Sequence, residues 1–189
     1  MIKISKTPVV ILANYRSGST ALCRAIANEN NILGFSEPSR NPDRCKAFIE
    51  CYNNNKNYVI KFMPDQFKEF KLYKKILSRD CYKILLTRQN KLDQITSLYI
   101  AVMRNVWGRN NKTIQEEYTL SINKKIIDNS IKKILSVDSM LENYREKSNI
   151  VLTYEDLGII KNIDLIKTDQ PKNLEEIKEK IKKRMETIK

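Results

Sequence analysis

Histidine is absent from all 189 residues. An imidazole base is thereby excluded, and a carboxylate is the expected side-chain base if one is used. Cysteine is sparse and scattered. Cys23, Cys45, Cys51 and Cys81 show no C-x-x-C spacing, and two of them fall in apolar segments. This argues against disulfides or a zinc site and for reduced thiols in a cytoplasm. Long apolar runs are missing too. MIKISKTPVVILA is too short for a signal peptide or a membrane span, and nothing later reaches about 18 apolar residues, so a soluble protein is expected. Acidic residues are outnumbered, 22 against 35 Lys and Arg, for a formal charge of +13. The excess is mostly Lys spread over polar helix faces among Ile and Asn, with no basic run interleaved with aromatics and no nucleic-acid module. It reads as a solvated surface that attracts anionic ligands, and a nucleic-acid partner is not favoured. Repeats and low-complexity linkers are also lacking. The 41% hydrophobic content suffices for one core, so a single domain over 1–189 is expected.

What is present is an alternation of β-rich and helical segments. Val9–Ala13, Leu33–Ser36, Tyr58–Phe62, Tyr82–Thr87 and Ile150–Thr153 are the candidate strands, which argues for an α/β fold with a mainly parallel sheet of about five strands. Helices are expected at about Ser19–Glu29, Pro42–Tyr52, Asp65–Leu77 and Leu92–Asn105. A longer amphipathic one spans about Ile114–Lys147, with Ile127, Ile131, Ile134 and Leu141 at helical spacing. The tail LEEIKEKIKKRMETIK is amphipathic, but its charge density suggests a frayed or partner-dependent end.

The richest segment is TPVVILANYRSGSTALCRAIA. An apolar strand enters a turn holding Arg16, Gly18 and three hydroxyls, and a helix follows. Hydroxyl caps, backbone N–H groups, the helix dipole and the freedom of Gly18 to approach a ligand together describe an anion-binding turn. Against the pattern G-x-x-x-x-G-K-[ST], with Gly18 as second glycine, Ala13 takes the first glycine position and Ser19 the lysine position. An ordinary ATPase or GTPase is thereby disfavoured. The cation is Arg16, and Arg-Ser-Gly-Ser-Thr can hold a phosphate without recruiting magnesium. The plainer alternative is an ordinary Ser/Gly-rich β-turn-α connection.

In open α/β sheets ligands lie beyond the carboxyl ends of the strands, and other strand ends here are also loaded. YKILLTRQNKLDQITS ends a strand at Arg88 and carries Thr96 and Ser97 on the next helix, an arrangement able to clasp a second phosphate. An Arg that caps a helix and a Ser that back-bonds to its own helix would look the same. Glu37, in GFSEP, is the candidate base, with Pro38 stopping regular pairing; a solvated turn carboxylate is the alternative. Burial would raise its pKa toward neutrality. Lys61, in VIKFMPD, reaches either a ligand or, as a snorkelling edge lysine, only water. Glu155 and Asp156, in TYEDL, read as structural caps. Trp107 in RNVWGRNNK, flanked by Arg104 and Arg109, suits stacking on a sugar ring, and equally a surface lid or a homodimer contact.

RSGST after strand one, SEP after strand two, LLTR with a Ser-bearing helix after strand four, and TYEDL near the end together resemble a sulfotransferase. The match spans roughly Pro8 to Leu157 and is most similar to the bacterial trehalose 2-sulfotransferase-like family. That resemblance implies a P-loop-like three-layer fold and the donor 3'-phosphoadenosine 5'-phosphosulfate, with adenosine 3',5'-bisphosphate as product and no metal. It implies that Arg16, Ser17, Gly18, Ser19 and Thr20 bind the 5'-phosphosulfate, that Arg88 and Ser97 hold the 3'-phosphate, and that Glu37 is the base. Arg16 would also be catalytic, in place of the lysine of many relatives. The acceptor implied is a hydroxyl on a carbohydrate or similar small molecule, with Lys61 and Trp107 as candidate contacts. The chain departs from the pattern at Gln89, where relatives often carry a second Arg, and Ser97 follows Arg88 one residue later than in many sulfotransferases. No glycine-rich donor lid is evident near the C-terminus, where Lys167 and Lys172 are the candidates to close over the nucleotide. A P-loop-like phosphoryl-transfer enzyme and a basic nucleic-acid-binding module are the other readings.

Overall fold

Strands β1 (Val9–Ala13) and β3 (Tyr58–Phe62) are buried at every residue, as expected where both faces of a parallel sheet are covered. The computed structural model describes residues 8–66, 72–107, 117–160, 163, 165 and 170–188. With β2 (Leu33–Ser36), β4 (Tyr82–Thr87) and β5 (Ile150–Thr153) these strands form one five-stranded sheet, all parallel, in the order β2-β3-β1-β4-β5. All five strands expected from the sequence form within those bounds. The chain divides into two compact units. The first comprises Met1–Gln89 and Val137–Leu165, the second Asn90–Ser136 and Ile166–Lys189.

The first unit holds the sheet between helices. Val9, Ile11, Ala13, Val59, Ile84 and Leu86 pack on one face against Leu22, Cys23, Ile26 and Ala27 of α1 (Ser19–Glu29). On the opposite face Phe48 of α2 (Pro42–Asn53) meets Phe35 and Tyr58 edge-on, with ring centroids 5.2 Å apart in each pair. The result is helix, sheet, helix: a three-layer α/β arrangement. After β3 a 3-10 turn covers Pro64–Gln66 and the helix α3 covers only Tyr73–Ser78. The helix expected over Asp65–Leu77 is thus split, and its middle lies outside the described residues. A proline at the first helical position, Pro42, follows the Asn41 side-chain cap and starts α2 where the sequence expects it.

The second unit is helical in its described residues. It contains α4 (Lys91–Arg104), most of α5 (Lys124–Glu142) and α7 (Leu174–Thr187). The long helix expected over Ile114–Lys147 is shorter at both ends, and residues 117–123 are not helical. Their backbone bonds go elsewhere. Leu120 exchanges bonds with the Asn173 amide, at 3.1 and 2.8 Å, and the Ser121 carbonyl accepts from the Tyr99 hydroxyl at 2.6 Å. The tail corrects its expectation of fraying. Ile177 and Ile181 are fully buried, α7 packs on α4, and Arg184 forms a two-pronged bond to Asp128 at 2.7 and 2.6 Å. Among the described residues no helix is long and apolar enough to cross a membrane.

Candidate active site

At the carboxyl end of β1 the chain turns through Asn14–Gly18 with two residues in the left-handed region, Arg16 at φ 56 and Gly18 at φ 78. The turn is clamped from within. The Tyr15 N–H donates to Asn14 Oδ1 at 2.7 Å, Ser17 Oγ donates to the Asn14 carbonyl at 2.7 Å, and Asn14 Nδ2 donates to Asp138 at 2.8 Å. Asn14 and Ser17 are fully buried. The expected hydroxyl cap on α1 is not what forms. Gly18, which has no side chain to offer, is the N-cap, and the Ser17 hydroxyl is spent inside the turn. The first-turn N–H groups of α1, which no helix can satisfy internally, therefore end at a rigid concave turn suited to an anion. Glycine at 18 is also required by its neighbours. A Cβ there would lie 3.0 Å from side-chain atoms of Tyr154, Leu157 and Leu165, on top of the strain of the positive φ.

Arg88, at the end of β4, reaches back to this turn. Its Nη1 donates to the Arg16 carbonyl at 3.2 Å, and its guanidinium lies over the Tyr154 ring, 4.2 Å from the centroid. Its Nε is buried without a hydrogen-bond partner among the described residues. Burial first, then the charge of Arg88, lowers the pKa of the Arg16 guanidinium. The charge of Arg88 is felt at Arg16, and two such positive charges near a left-handed turn favour an anion there. The arrangement can hold a phosphate or sulfate through backbone and side chain at once.

A second network adjoins the first. Lys61 is the register partner of Ile11, so it shares the α1 face of the sheet, and its side chain is only 4% exposed. Its Nζ donates to Thr20 Oγ1 at 3.1 Å and to Glu37 Oε1 at 2.5 Å, and Thr20 Oγ1 also meets Ser36 Oγ at 3.3 Å. A lysine so held is not a snorkelling edge residue. Glu37 Oε2 accepts from Gln66 at 3.0 Å and pairs with Arg40 Nε at 3.0 Å. Arg40 extends to the Tyr15 hydroxyl at 3.4 Å, and that hydroxyl donates to Asp65 at 2.7 Å. Glu37 sits at φ 52, ψ 59, directly before Pro38, a conformation that costs a non-glycine residue energy and that its three partners hold in place. Burial alone would raise its pKa, as the sequence reading expects. Lys61 above all, then Gln66 and Arg40, outweigh burial and hold the carboxyl below its ordinary value.

The other candidates separate. Asp156 and Thr153 form a reciprocal capping box on α6 (Tyr154–Leu157), and Glu155 accepts from the Gln89 N–H at 3.1 Å, so both carboxylates are structural as expected. Ser97 and Trp107 belong to the second unit and Arg88 to the first. Thr96 back-bonds to the Leu92 carbonyl at 2.7 Å. Trp107 is 47% exposed and donates to Asn105 at 3.2 Å, while Arg104 stacks on Tyr118 and Arg109 lies outside the described residues. Lys167 also lies outside them; Lys172 pairs with Glu117. Several participants went unremarked in the sequence, among them Asn14, Gln66, Arg40 and Tyr154. Asn14, Gln66 and Tyr154 follow strand ends closely, where the strand-end rule points, and Arg40 falls one helical turn after Glu37. No protein-family model matches this chain, and no curated protein matches it.

Proposed function

We propose that this chain is a sulfotransferase that moves a sulfuryl group from 3'-phosphoadenosine 5'-phosphosulfate to a hydroxyl acceptor, a carbohydrate or similar small molecule. The observation that carries the reading is the meeting of Arg16 and Arg88 at the left-handed turn, with the buried Arg88 Nε lacking a hydrogen-bond partner among the described residues. An unsatisfied buried guanidinium N–H fits an anionic ligand, and so does a helix N-terminus whose first-turn N–H groups have no partner within the helix. The donor, when bound, supplies the activated sulfuryl group. Arg16 and the backbone of Ser17, Gly18, Ser19 and Thr20 bind and orient its phosphosulfate end and Arg88 its 3'-phosphate, because positioning and electrostatics dominate such transfers. Glu37, ionised and fixed by Lys61, Gln66 and Arg40, is the carboxylate set to take the proton of the acceptor hydroxyl.

The test is a thermal-shift comparison of adenosine 3',5'-bisphosphate, 5'-AMP and magnesium-ATP. A ligand that binds only the native state at one hundred times its Kd stabilises by about 2.7 kcal/mol. The expected result is stabilisation by the bisphosphate that exceeds that by AMP and falls away in Arg88→Ala. Equal effects of bisphosphate and AMP would remove the second phosphate from the reading, and a preference for magnesium-ATP would move it to phosphoryl transfer.

A further inference from the structure

A phosphate-binding turn with serine in its lysine position lacks the cation that ordinarily reaches the bound group from the helix itself. Ser19 holds that position here, and it is buried. The neighbouring residue Thr20 nevertheless carries an ammonium on its hydroxyl, delivered from another strand: Lys61 Nζ, 3.1 Å away. An ammonium has three N–H donors. Among the described residues two are taken, by Thr20 and by Glu37 Oε1. The remaining donor and the near-complete burial of the side chain leave Lys61 few other places to discharge its charge.

We infer that Lys61 is a second cation of the anion-binding turn beside Arg16, supplied from β3 instead of from the turn, and that Glu37 and a tetrahedral anion on the turn compete for its ammonium group. The inference rests on the proposed donor site for its location and deepens the role of that site. Lys61 is a positioning residue with two stable attachments. With the turn empty of anion, the ion pair holds Glu37 Oε1 occupied. An anion on the turn draws the ammonium toward Thr20, and Oε1 regains a lone pair able to accept the proton that leaves an acceptor hydroxyl. Arg40 and Gln66, both on Oε2, remain attached and keep the carboxylate aimed. Tyr15 faces the same carboxylate, but its hydroxyl is bonded to Asp65 and its pKa is raised well above the ordinary tyrosine value, by burial first and by Asp65, so it stays neutral throughout. Binding at the turn thus prepares the base, and the base is quiet when nothing is bound.

Inorganic sulfate is the probe, with its affinity measured by calorimetry in the wild type, Glu37→Gln, Lys61→Met and the double variant. Removal of the competitor should tighten sulfate about tenfold where Lys61 is present, and less than about twofold where it is Met. Equal tightening in both backgrounds means that the Glu37 charge acts on the anion directly through space, and overturns the inference; so does a failure of sulfate to bind. The double variant replaces a buried ion pair by neutral side chains of similar size, a change that folds commonly tolerate. Should Lys61→Met alone not fold, the wild type supplies a second reading. Saturating sulfate should raise the midpoint of the Glu37 carboxyl carbon signal by about one pH unit and shift the Lys61 ammonium resonance, and an unmoved Lys61 resonance overturns the inference. Sulfate competition without any preference for the bisphosphate over AMP would leave Lys61 in this role and remove the sulfotransferase reading instead.

Discussion

Lys61 and Glu37 have side chains 4% and 16% exposed, so bulk water relieves neither charge and each depends on its partners. Loss of one member of a buried pair strands the other, which costs far more than the pair itself is worth. Glu37→Leu should therefore lower stability near neutral pH by about 3 kcal/mol, read by urea unfolding. The pH dependence has a definite sign. Because Glu37 is held below its ordinary value in the folded chain, its contribution is complete above the unfolded value, about 4.3, and is lost as pH falls through the lower folded value. The deficit of Glu37→Leu should accordingly shrink in acid, and a deficit constant across that range would show that packing, not ionisation, is at stake. Gly18 makes a second residue-scale test. Gly18→Ala meets both a positive φ and three side chains at 3.0 Å, and should cost roughly 2 kcal/mol in thermal unfolding. A neutral result would mean that the turn relaxes and is less rigid than its internal bonds imply.

Among the elements, strands were the most legible. A run such as VVILA or YVIKF is apolar enough to be buried on both sides, and its shortness and β-branched residues suit a strand of a covered parallel sheet better than a helix. Helix interiors were legible for the same reason, through their spacing. Ends were less so, because they are decided by where orphan backbone groups find partners. Residues 117–123 carry no helix because Asn173 and Tyr99 take their backbone bonds, partners that lie far along the chain. The tail shows the same effect in the other direction. A sequence of mean hydropathy this low looks like one that frays, yet Ile177 and Ile181 are buried and Lys178 reaches Asp93 at 3.1 Å. Ile181→Ala should cost about 3 kcal/mol, measured by urea unfolding; a loss under about 0.5 kcal/mol, the range of surface substitutions, would return α7 to the status of a loose appendage.

For the molecule as a whole, strand order decides where chemistry can gather. The order β2-β3-β1-β4-β5 places β1 between β3 and β4, with β2 and β3 to one side and β4 and β5 to the other. The chain therefore leaves β1 at the switch in direction, where crevices open beyond strand ends. Arg16 follows β1, Glu37 follows β2, Lys61 lies near the end of β3 and Arg88 follows β4, so the candidates chosen one strand at a time fall at neighbouring strand ends. Sequence alone determines the five strands, the missing turn lysine and the absence of histidine, because each depends on the composition or spacing of a few adjacent residues. Tertiary structure alone decides that Arg88 caps the Arg16 carbonyl across 72 residues, that Lys61 bridges Thr20 and Glu37, and that the Glu37 carboxyl is held ionised instead of neutral. Those outcomes depend on distances of a few ångströms between groups remote in the chain, and Coulomb energies and desolvation in a buried site change over that same length.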